Sequence, residues 1–341
     1  MKVGKLRFIV LATLGLAVLV SRTNAQDVAA AQAAFIDRMV ASHGFDPEEL
    51  ASIFAGVEID ERILESMSRP AERVMPWHEY RTLFVTDERI SSGVQFWSEH
   101  AEEILAAAEL YGVAPEMLVS ILGIETWFGQ RMGRYRVLES LSTLAFAYPP
   151  RASFFSSELE AFLLLTREER LDPRMVLGSY AGAMGAGQFI PTSFRAYAVD
   201  ANGDGQRDLW EDWEDVLGSI ANYFKVHGWR RSEPVVDRAT LSTDWSGPEP
   251  ANSMNLDDTV ASLSERGYVF PTALPESAPA TALGLEGQGG TEYWVGYHNF
   301  RVITRYNRSV KYALAAKELA DAILAAAQQA AVVTETTEDD V

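Results

Sequence analysis

The sequence predicts an α+β fold that is predominantly helical, and three features carry that prediction. Apolar side chains recur at i, i+3, i+4 and i+7 in several segments, most clearly where Leu118, Ile121 and Leu122 share a stripe with Glu125. An alanine-rich run over 310–331 reads as a long closing helix. Between the helical stretches, 282–285 and 293–306 have the β-branched and aromatic character of strands, with a Gly287-Gln288-Gly289-Gly290 turn between them.

The chain starts with Lys2, Lys5 and Arg7, continues as an apolar run over 8–20 and turns polar through Ser21-Arg22-Thr23-Asn24. A basic flank, a short apolar stretch and a small residue at the end make the pattern of a secretory signal peptide, and the run is too short to span a bilayer. Residues 1–25 are therefore read as a leader cleaved after Ala25. The chain has no cysteine, which excludes disulfides, thiol catalysis and a cysteine-linked lipid, so no membrane anchor is expected. Its net charge is −19, and the leader carries basic residues but no acidic ones, so the remainder is more acidic still. Such a surface repels polyanions, and nucleic acid is not an expected partner.

A helical N-terminal region is expected over 26–112. Asp46-Pro47-Glu48-Glu49 reads as a helix start, with a capping acid, a proline at the first helical position and an acid in the first turn. A helix over 86–111 should close at Gly112, which tolerates the left-handed cap. Pro115 then opens the helix bearing Glu125, the two forming a hairpin. Residues 113–233 are expected to form the core, with a break at Tyr148-Pro149-Pro150, where two prolines forbid regular helix.

On its stripe Glu125 faces inward beside Trp127 and Phe128, and loss of water there favours the protonated carboxyl, a proton donor. The structural alternative is a buried Glu paired with Arg131, Arg134 or Arg136. Trp127, Phe128, Tyr148, Phe154 and Phe155 are core aromatics or the stacking surface of a sugar cleft. Residues 178–191, Gly178-Ser-Tyr-Ala-Gly-Ala-Met-Gly-Ala-Gly-Gln-Phe-Ile-Pro191, carry so little side-chain bulk that the backbone can closely approach a neighbour or a ligand. Ser179, Tyr180 and Gln188 are its polar groups. It matches no phosphate-binding loop.

The stretch from Asp200 to Glu211 fits D-x-[DN]-x-[DN]-G-x5-E, with Asp200, Asn202 and Asp204 as alternating oxygen donors, Gly205 at the bend and Gln206 offering its main-chain carbonyl. Glu211 stands at the closing position, and Asp215, one helical turn on, is the alternative. A solvated Asx-rich turn is the bland reading; the functional one is a structural Ca2+. A helix over 214–227 follows. Residues 234–281 read as a peripheral subdomain, 282–331 as a small hairpin and final helix completing the core, and 332–341 as a disordered acidic tail. The five histidines show no metal-binding spacing and there is no G-x-S-x-G elbow, so no catalytic cofactor is expected.

Taken in order, Gly123-Ile-Glu125-Thr-Trp-Phe-Gly129, the 141–149 and 178–191 segments, the calcium-type loop, Ile220-Ala-Asn-Tyr-Phe-Lys-Val-His-Gly-Trp229 and Ile303-Thr-Arg-Tyr-Asn307 resemble the lytic murein transglycosylase B family of lysozyme-like enzymes. The resemblance spans about 30–325 and implies a lysozyme-like core. It implies cleavage of the β-1,4 bond between N-acetylmuramic acid and N-acetylglucosamine in peptidoglycan glycan strands, leaving 1,6-anhydromuramoyl ends. Glu125 would act first as acid and then as base, which explains the lack of a second acid of comparable motif strength. Ser179, Gln188, Tyr223, Tyr306, Asn307 and Tyr312 would line the groove. Phe154 stands where related chains can carry a tyrosine, so no hydrogen bond is expected from it. The resemblance favours Asp215 over Glu211 as the closing calcium ligand, and a soluble periplasmic enzyme. A catalytically silent peptidoglycan-binding scaffold and a hydrolytic muramidase are the alternatives.

Overall fold

The computed structural model describes residues 25–68, 75–245 and 247–338. The expected leader lies outside the described residues apart from Ala25, which begins helix α1 (Ala25–His43). Helices α2 (Pro47–Phe54), α3 (Glu61–Ser68) and α4 (Trp77–Thr82) follow. Asp46 caps α2 as its sequence predicts, Oδ1 accepting from the main-chain N–H of Glu48 at 2.7 Å and of Glu49 at 3.1 Å. A cap of this kind contributes about 1 kcal/mol.

The single helix expected over 86–111 is two, α5 (Asp87–Glu99) and α6 (Ala101–Tyr111). They break at His100, whose φ of −126° and ψ of 32° are not helical. Its ring is seated 4.7 Å from that of Phe96 and 5.1 Å from that of Trp213, and this packing accompanies the bend. Gly112 closes α6 in the left-handed region at φ 73°. Helix α7 (Pro115–Thr126) leaves α6 at a bend of 115°, so the pair is angled rather than a flat hairpin. Among the described residues no single helix is long and apolar enough to cross a membrane.

Helix α7 is the centre of the core, with Leu118, Val119, Ile121 and Leu122 fully buried. It packs against α14 (Val310–Glu338), where Ala313, Ala315 and Ala316 permit close approach, and Ser120 Oγ donates to the Ala316 carbonyl at 2.6 Å. A short ladder pairs β1 (Tyr135–Arg136) with β2 (Leu177–Gly178). Their approach requires glycine: a Cβ on Gly133, at φ 100°, would lie 2.1 Å from the Gly178 carbonyl oxygen. Between these strands run α8 (Val137–Ala147) and α9 (Ala152–Glu168), separated at the double proline by a 3-10 turn, Pro149–Arg151. Helices α10 (Pro191–Tyr197) and α11 (Trp213–Val226) complete this part of the core.

A five-stranded antiparallel sheet follows, formed by β3 (Val236–Leu241), β4 (Asp258–Thr259), β5 (Tyr268–Val269), β6 (Pro279–Gly287) and β7 (Gly290–Gly296) in the order β4-β6-β7-β3-β5. It has its own small core around Leu263, Val295 and Tyr297, with α12 (Val260–Glu265) packed on it. The boundary expected between 281 and 282 therefore runs through β6 and divides one sheet.

Residues expected to extend the last strand to 306 instead form α13 (His298–Tyr306). Within it the buried positions are Asn299, Phe300, Val302, Ile303 and Thr304, a helical rather than an alternating spacing. Helix α14 continues to Glu338, so 332–338 is helical rather than a disordered tail. Residues 339–341 lie outside the described residues.

Candidate active site

Glu125 occupies the last turn of α7 and is half-buried, at the end of the apolar stripe rather than within it. Tyr312, buried on the first turns of α14, donates its hydroxyl to Glu125 Oε1 at 2.5 Å. Of the nearby arginines, Arg131 lies over the Trp127 ring at 4.4 Å and Arg136 faces Glu139 at 3.7 Å. Trp127 is held from its other neighbour as well, the Arg89 guanidinium being 4.3 Å from the ring.

Beyond Glu125 the chain reverses through three consecutive left-handed residues, Trp127, Phe128 and Gly129, at φ 53°, 56° and 82°. Two of them are not glycine, and each such residue costs of order 1 kcal/mol. The turn is held by Phe128 N–H on the Leu122 carbonyl at 3.0 Å and Arg131 N–H on the Thr126 carbonyl at 2.7 Å. Thr126 secures the other side: its Oγ1 donates to the Ala186 carbonyl at 2.8 Å and accepts from Gly129 N–H at 3.0 Å. One buried threonine thus fastens the end of the acid-bearing helix to the glycine-rich segment.

That segment is an irregular wall, with isolated bridges Gly178 to Met184 and Met184 to Phe189. Ser179 shapes its turn, Oγ accepting from Ala181 N–H at 3.3 Å and Ala183 N–H at 3.0 Å. Gln188 is left-handed at φ 50°, and its amide donates to the carbonyls of Met132 at 3.1 Å and Gly185 at 3.0 Å. Gly187 lies so close to its neighbours that an added Cβ would stand 3.2 Å from Tyr306 Oη.

Tyr306, at the end of α13, donates to the Gly187 carbonyl at 2.5 Å. Tyr223 on α11 donates to the Arg305 carbonyl at 2.6 Å and stands edge-on to Tyr306 with centroids 4.9 Å apart. Burial and then the charge of Glu125 push the Tyr306 and Tyr312 hydroxyls well above the usual tyrosine value, and burial, with Tyr197, pushes Tyr223 up to about 12. All three are protonated donors at neutral pH, which excludes them as bases there.

Tyr312 thus holds Glu125, and Tyr306 packs on Tyr223 and holds the Gly187 carbonyl next to Gln188, with Ser179 at the start of the same wall. Asn307 follows Tyr306 as the exposed cap of α13. Phe154 is 38% exposed with the Arg151 guanidinium 4.3 Å from its ring, and Tyr180 is equally exposed, edge-on to Tyr135. Sequence reasoning missed Thr126, whose partner is 60 residues away, and Tyr135, which only the β1–β2 ladder brings to Tyr180.

In the 200–215 loop, Asp200 accepts from Gly203, Asp204 and Gly205 N–H, Asn202 Oδ1 accepts from Asp204 N–H, and Asp204 accepts from Gln206 N–H. Gly203 and Gly205 are left-handed, at φ 79° and 92°. Asp215 is buried, its two oxygens accepting from Ala201 N–H at 2.6 Å and Asp208 N–H at 2.8 Å. Burial raises its pKa, main-chain donors oppose this, and Asp212 adds to the rise. Glu211 is exposed. Asp215 is thus built into the loop and Glu211 is peripheral to it. Among the described residues no three His, Asp or Glu side chains gather at metal-holding spacing, so an ion here depends also on Asn202 and the Gln206 carbonyl. The donors fit calcium in type and order. The loop's tail supports the glycine-rich wall directly, Ala186 N–H donating to the Leu209 carbonyl at 2.7 Å.

The other buried acids have structural partners: Glu158 accepts from Thr192 N–H at 3.0 Å and Oγ1 at 2.7 Å, and Glu169 pairs with Arg207.

The sequence matches the family described as Transglycosylase SLT domain over residues 27–321. It is 40% identical over 304 residues to membrane-bound lytic murein transglycosylase B of Escherichia coli (strain K12), covering 86% of this chain and 83% of that one. Among solved structures, soluble lytic transglycosylase SltB1 from Pseudomonas aeruginosa is 48% identical with a TM-score of 0.79, the match covering 86% of this chain and 98% of that one. The Escherichia coli lytic transglycosylase Slt35 in complex with calcium is 39% identical with a TM-score of 0.80, over 87% and 93% of the two chains.

Proposed function

The chain belongs to the transglycosylase SLT domain family and is a peptidoglycan lytic transglycosylase, and from that premise we propose how Glu125 performs the reaction. Protonated Glu125 gives its proton to the glycosidic oxygen between N-acetylmuramic acid and N-acetylglucosamine. The C1–O bond breaks and the N-acetylglucosamine leaves as its 4-hydroxyl. The carboxylate then takes the proton of the muramoyl C6 hydroxyl as O6 bonds to C1, which closes the 1,6-anhydro ring and returns Glu125 to its acid form without adding water.

The observation that carries this reading is the isolation of function in one carboxyl. Glu125 stands at the end of α7 with the buried Tyr312 hydroxyl 2.5 Å from its Oε1, while Glu158, Glu169 and Asp215 brace the fold through Thr192, Arg207 and the 200–215 loop. An ordinary glycosidase requires a second carboxyl; a substrate that supplies its own nucleophile does not. Tyr312 supports the carboxylate form between the two proton transfers. Ser179, Gln188, Tyr223, Tyr306 and Asn307 position the glycan, with Phe154 and Tyr180 offering ring faces to the sugars.

A structural calcium held by Asp200, Asn202, Asp204, the Gln206 carbonyl and Asp215 belongs to the same proposal. It would neutralise loop carboxylates and brace Leu209 against the wall. The basic and apolar pattern of 2–20 supports export to the periplasm. The test is Glu125→Gln, which keeps the side chain's shape and removes the exchangeable proton. Release of anhydro-muropeptides from sacculi should fall by about 10²–10⁴-fold with an unchanged melting temperature; retained turnover contradicts the assignment.

A further inference from the structure

A cleft of about 420 Å³ opens between α13 and the 252–255 loop, and Arg301, Arg305 and Arg308 all line it. In a chain with 48 acidic and 29 basic side chains, arginines readily find carboxylates, as Arg195, Arg207, Arg238 and Arg266 do. None of the three cleft arginines forms an ion pair among the described residues. The negative end of α13 accounts for one basic residue in its last turn, Arg305, at about 0.3–1 kcal/mol. It does not account for Arg301 a full turn earlier, nor for a walled cleft around all three.

The opposite wall is fixed. Asn252, left-handed at φ 52°, both accepts from Gly284 N–H at 2.8 Å and donates to its carbonyl at 2.9 Å, binding the loop to β6. The nearest loop acid, Asp257, accepts from Ser253 Oγ at 3.2 Å. The helix that carries the arginines ends at the candidate active site: the Arg305 carbonyl accepts from Tyr223, and the next residue, Tyr306, reaches the Gly187 carbonyl.

We propose that this cleft receives the acidic peptide stem carried by the muramic acid in the groove. The inference rests on the glycan-cleaving reading above. A peptidoglycan stem leaves the muramoyl lactyl group as a chain bearing free carboxylates, and each extended residue adds about 3.3–3.6 Å to its reach away from the glycan. Guanidinium forks match carboxylates in two-point hydrogen bonds, and a neutral glycan has no use for three of them.

The test uses the full chain carrying Glu125→Gln, titrated calorimetrically with a GlcNAc–MurNAc tetrapeptide oligomer and with the same oligomer stripped of peptide. The peptide-bearing ligand should bind at least about tenfold tighter, and this preference should weaken with salt. Adding Arg301→Ala with Arg308→Ala should cut the preference to about twofold or less and leave affinity for the stripped glycan unchanged. Arg301→Gln alone, a milder change, should remove part of it. Amidating the stem carboxylates should reproduce the loss in the unmodified cleft. A preference untouched by the arginine changes, or equal weakening of both ligands, overturns the proposal. Turnover by the chain with native Glu125 is read separately on peptide-bearing glycan: anhydro products without any peptide preference in binding refute the cleft and leave the reaction standing, whereas absence of anhydro products from that substrate refutes the reaction itself.

Discussion

Glu125 and the carboxylates of the 200–215 loop meet at one residue, Ala186, whose carbonyl accepts from Thr126 beside Glu125 and whose N–H donates to Leu209 in the tail of the loop. The chain treats the two sets of acids in opposite ways. Asp200, Asp204 and Asp215 accept main-chain N–H groups, which fix their positions. Glu125 accepts from the hydroxyl of a neutral tyrosine at a half-exposed helix end. Main-chain donors build a brace; in the proposed mechanism the tyrosine hydroxyl steadies a carboxyl that gives up and regains its proton.

The comparison breaks most readily at Tyr312. Tyr312→Phe removes the hydroxyl that donates to Glu125 Oε1, and a bond to a charged group is worth about 1.5–3 kcal/mol. The turnover number should fall by roughly 10–100-fold with little change in KM, measured on soluble glycan oligomers; an equal loss in KM would make Tyr312 a substrate ligand instead. Thr126→Val tests the link between the two regions. It leaves the Ala186 carbonyl and Gly129 N–H without their partner, at about 1–3 kcal/mol, and should lower both melting temperature and turnover.

Calcium sharpens the contrast from the other side. At a hundredfold excess over Kd a single bound ion adds about 2.7 kcal/mol, so replacing calcium with a chelator should lower the melting temperature by roughly 5 °C while sparing residual turnover below that transition. A melting temperature indifferent to both leaves the loop as an Asx-rich turn. The smallest effect is alkaline. Tyr223 holds its proton in the folded chain up to about 12, against 10.0 for a free tyrosine, so between those values the folded state binds more protons than the unfolded one. Stability should be level below pH 10 and decline above it, and Tyr223→Phe should make that decline shallower in chemical denaturation at stepped pH.

How much of this was legible depends on the range of each interaction. The capped start of α2, the closing Gly112, the double-proline break and the stripe leading to Glu125 are local patterns, and the chain follows them. The helix break at His100 is set by Trp213, far along the sequence, and the β1–β2 ladder has only two residues on each side, too few for any periodicity. In α13 aromatic and β-branched residues suggested a strand, but burial of Asn299, Phe300, Val302 and Ile303 selects a helix. At the site, the resemblance brought forward Tyr306 and Tyr312, and the structure adds what each hydroxyl holds. Thr126 gave no signal beyond standing next to Glu125. Glu211 fits the twelve-residue loop pattern, yet the chain buries Asp215 in the loop instead, a choice made by the start of α11 rather than by the motif.

The central claim is that one carboxyl serves twice and water never enters the bond. It is tested most directly by mass spectrometry of sacculi digested in 18O-enriched water. The account predicts 1,6-anhydromuramoyl ends without label, about 18 Da lighter than hydrolysed ends in ordinary water. Reducing ends carrying one 18O atom would show that a water molecule, rather than the C6 hydroxyl, completes the reaction.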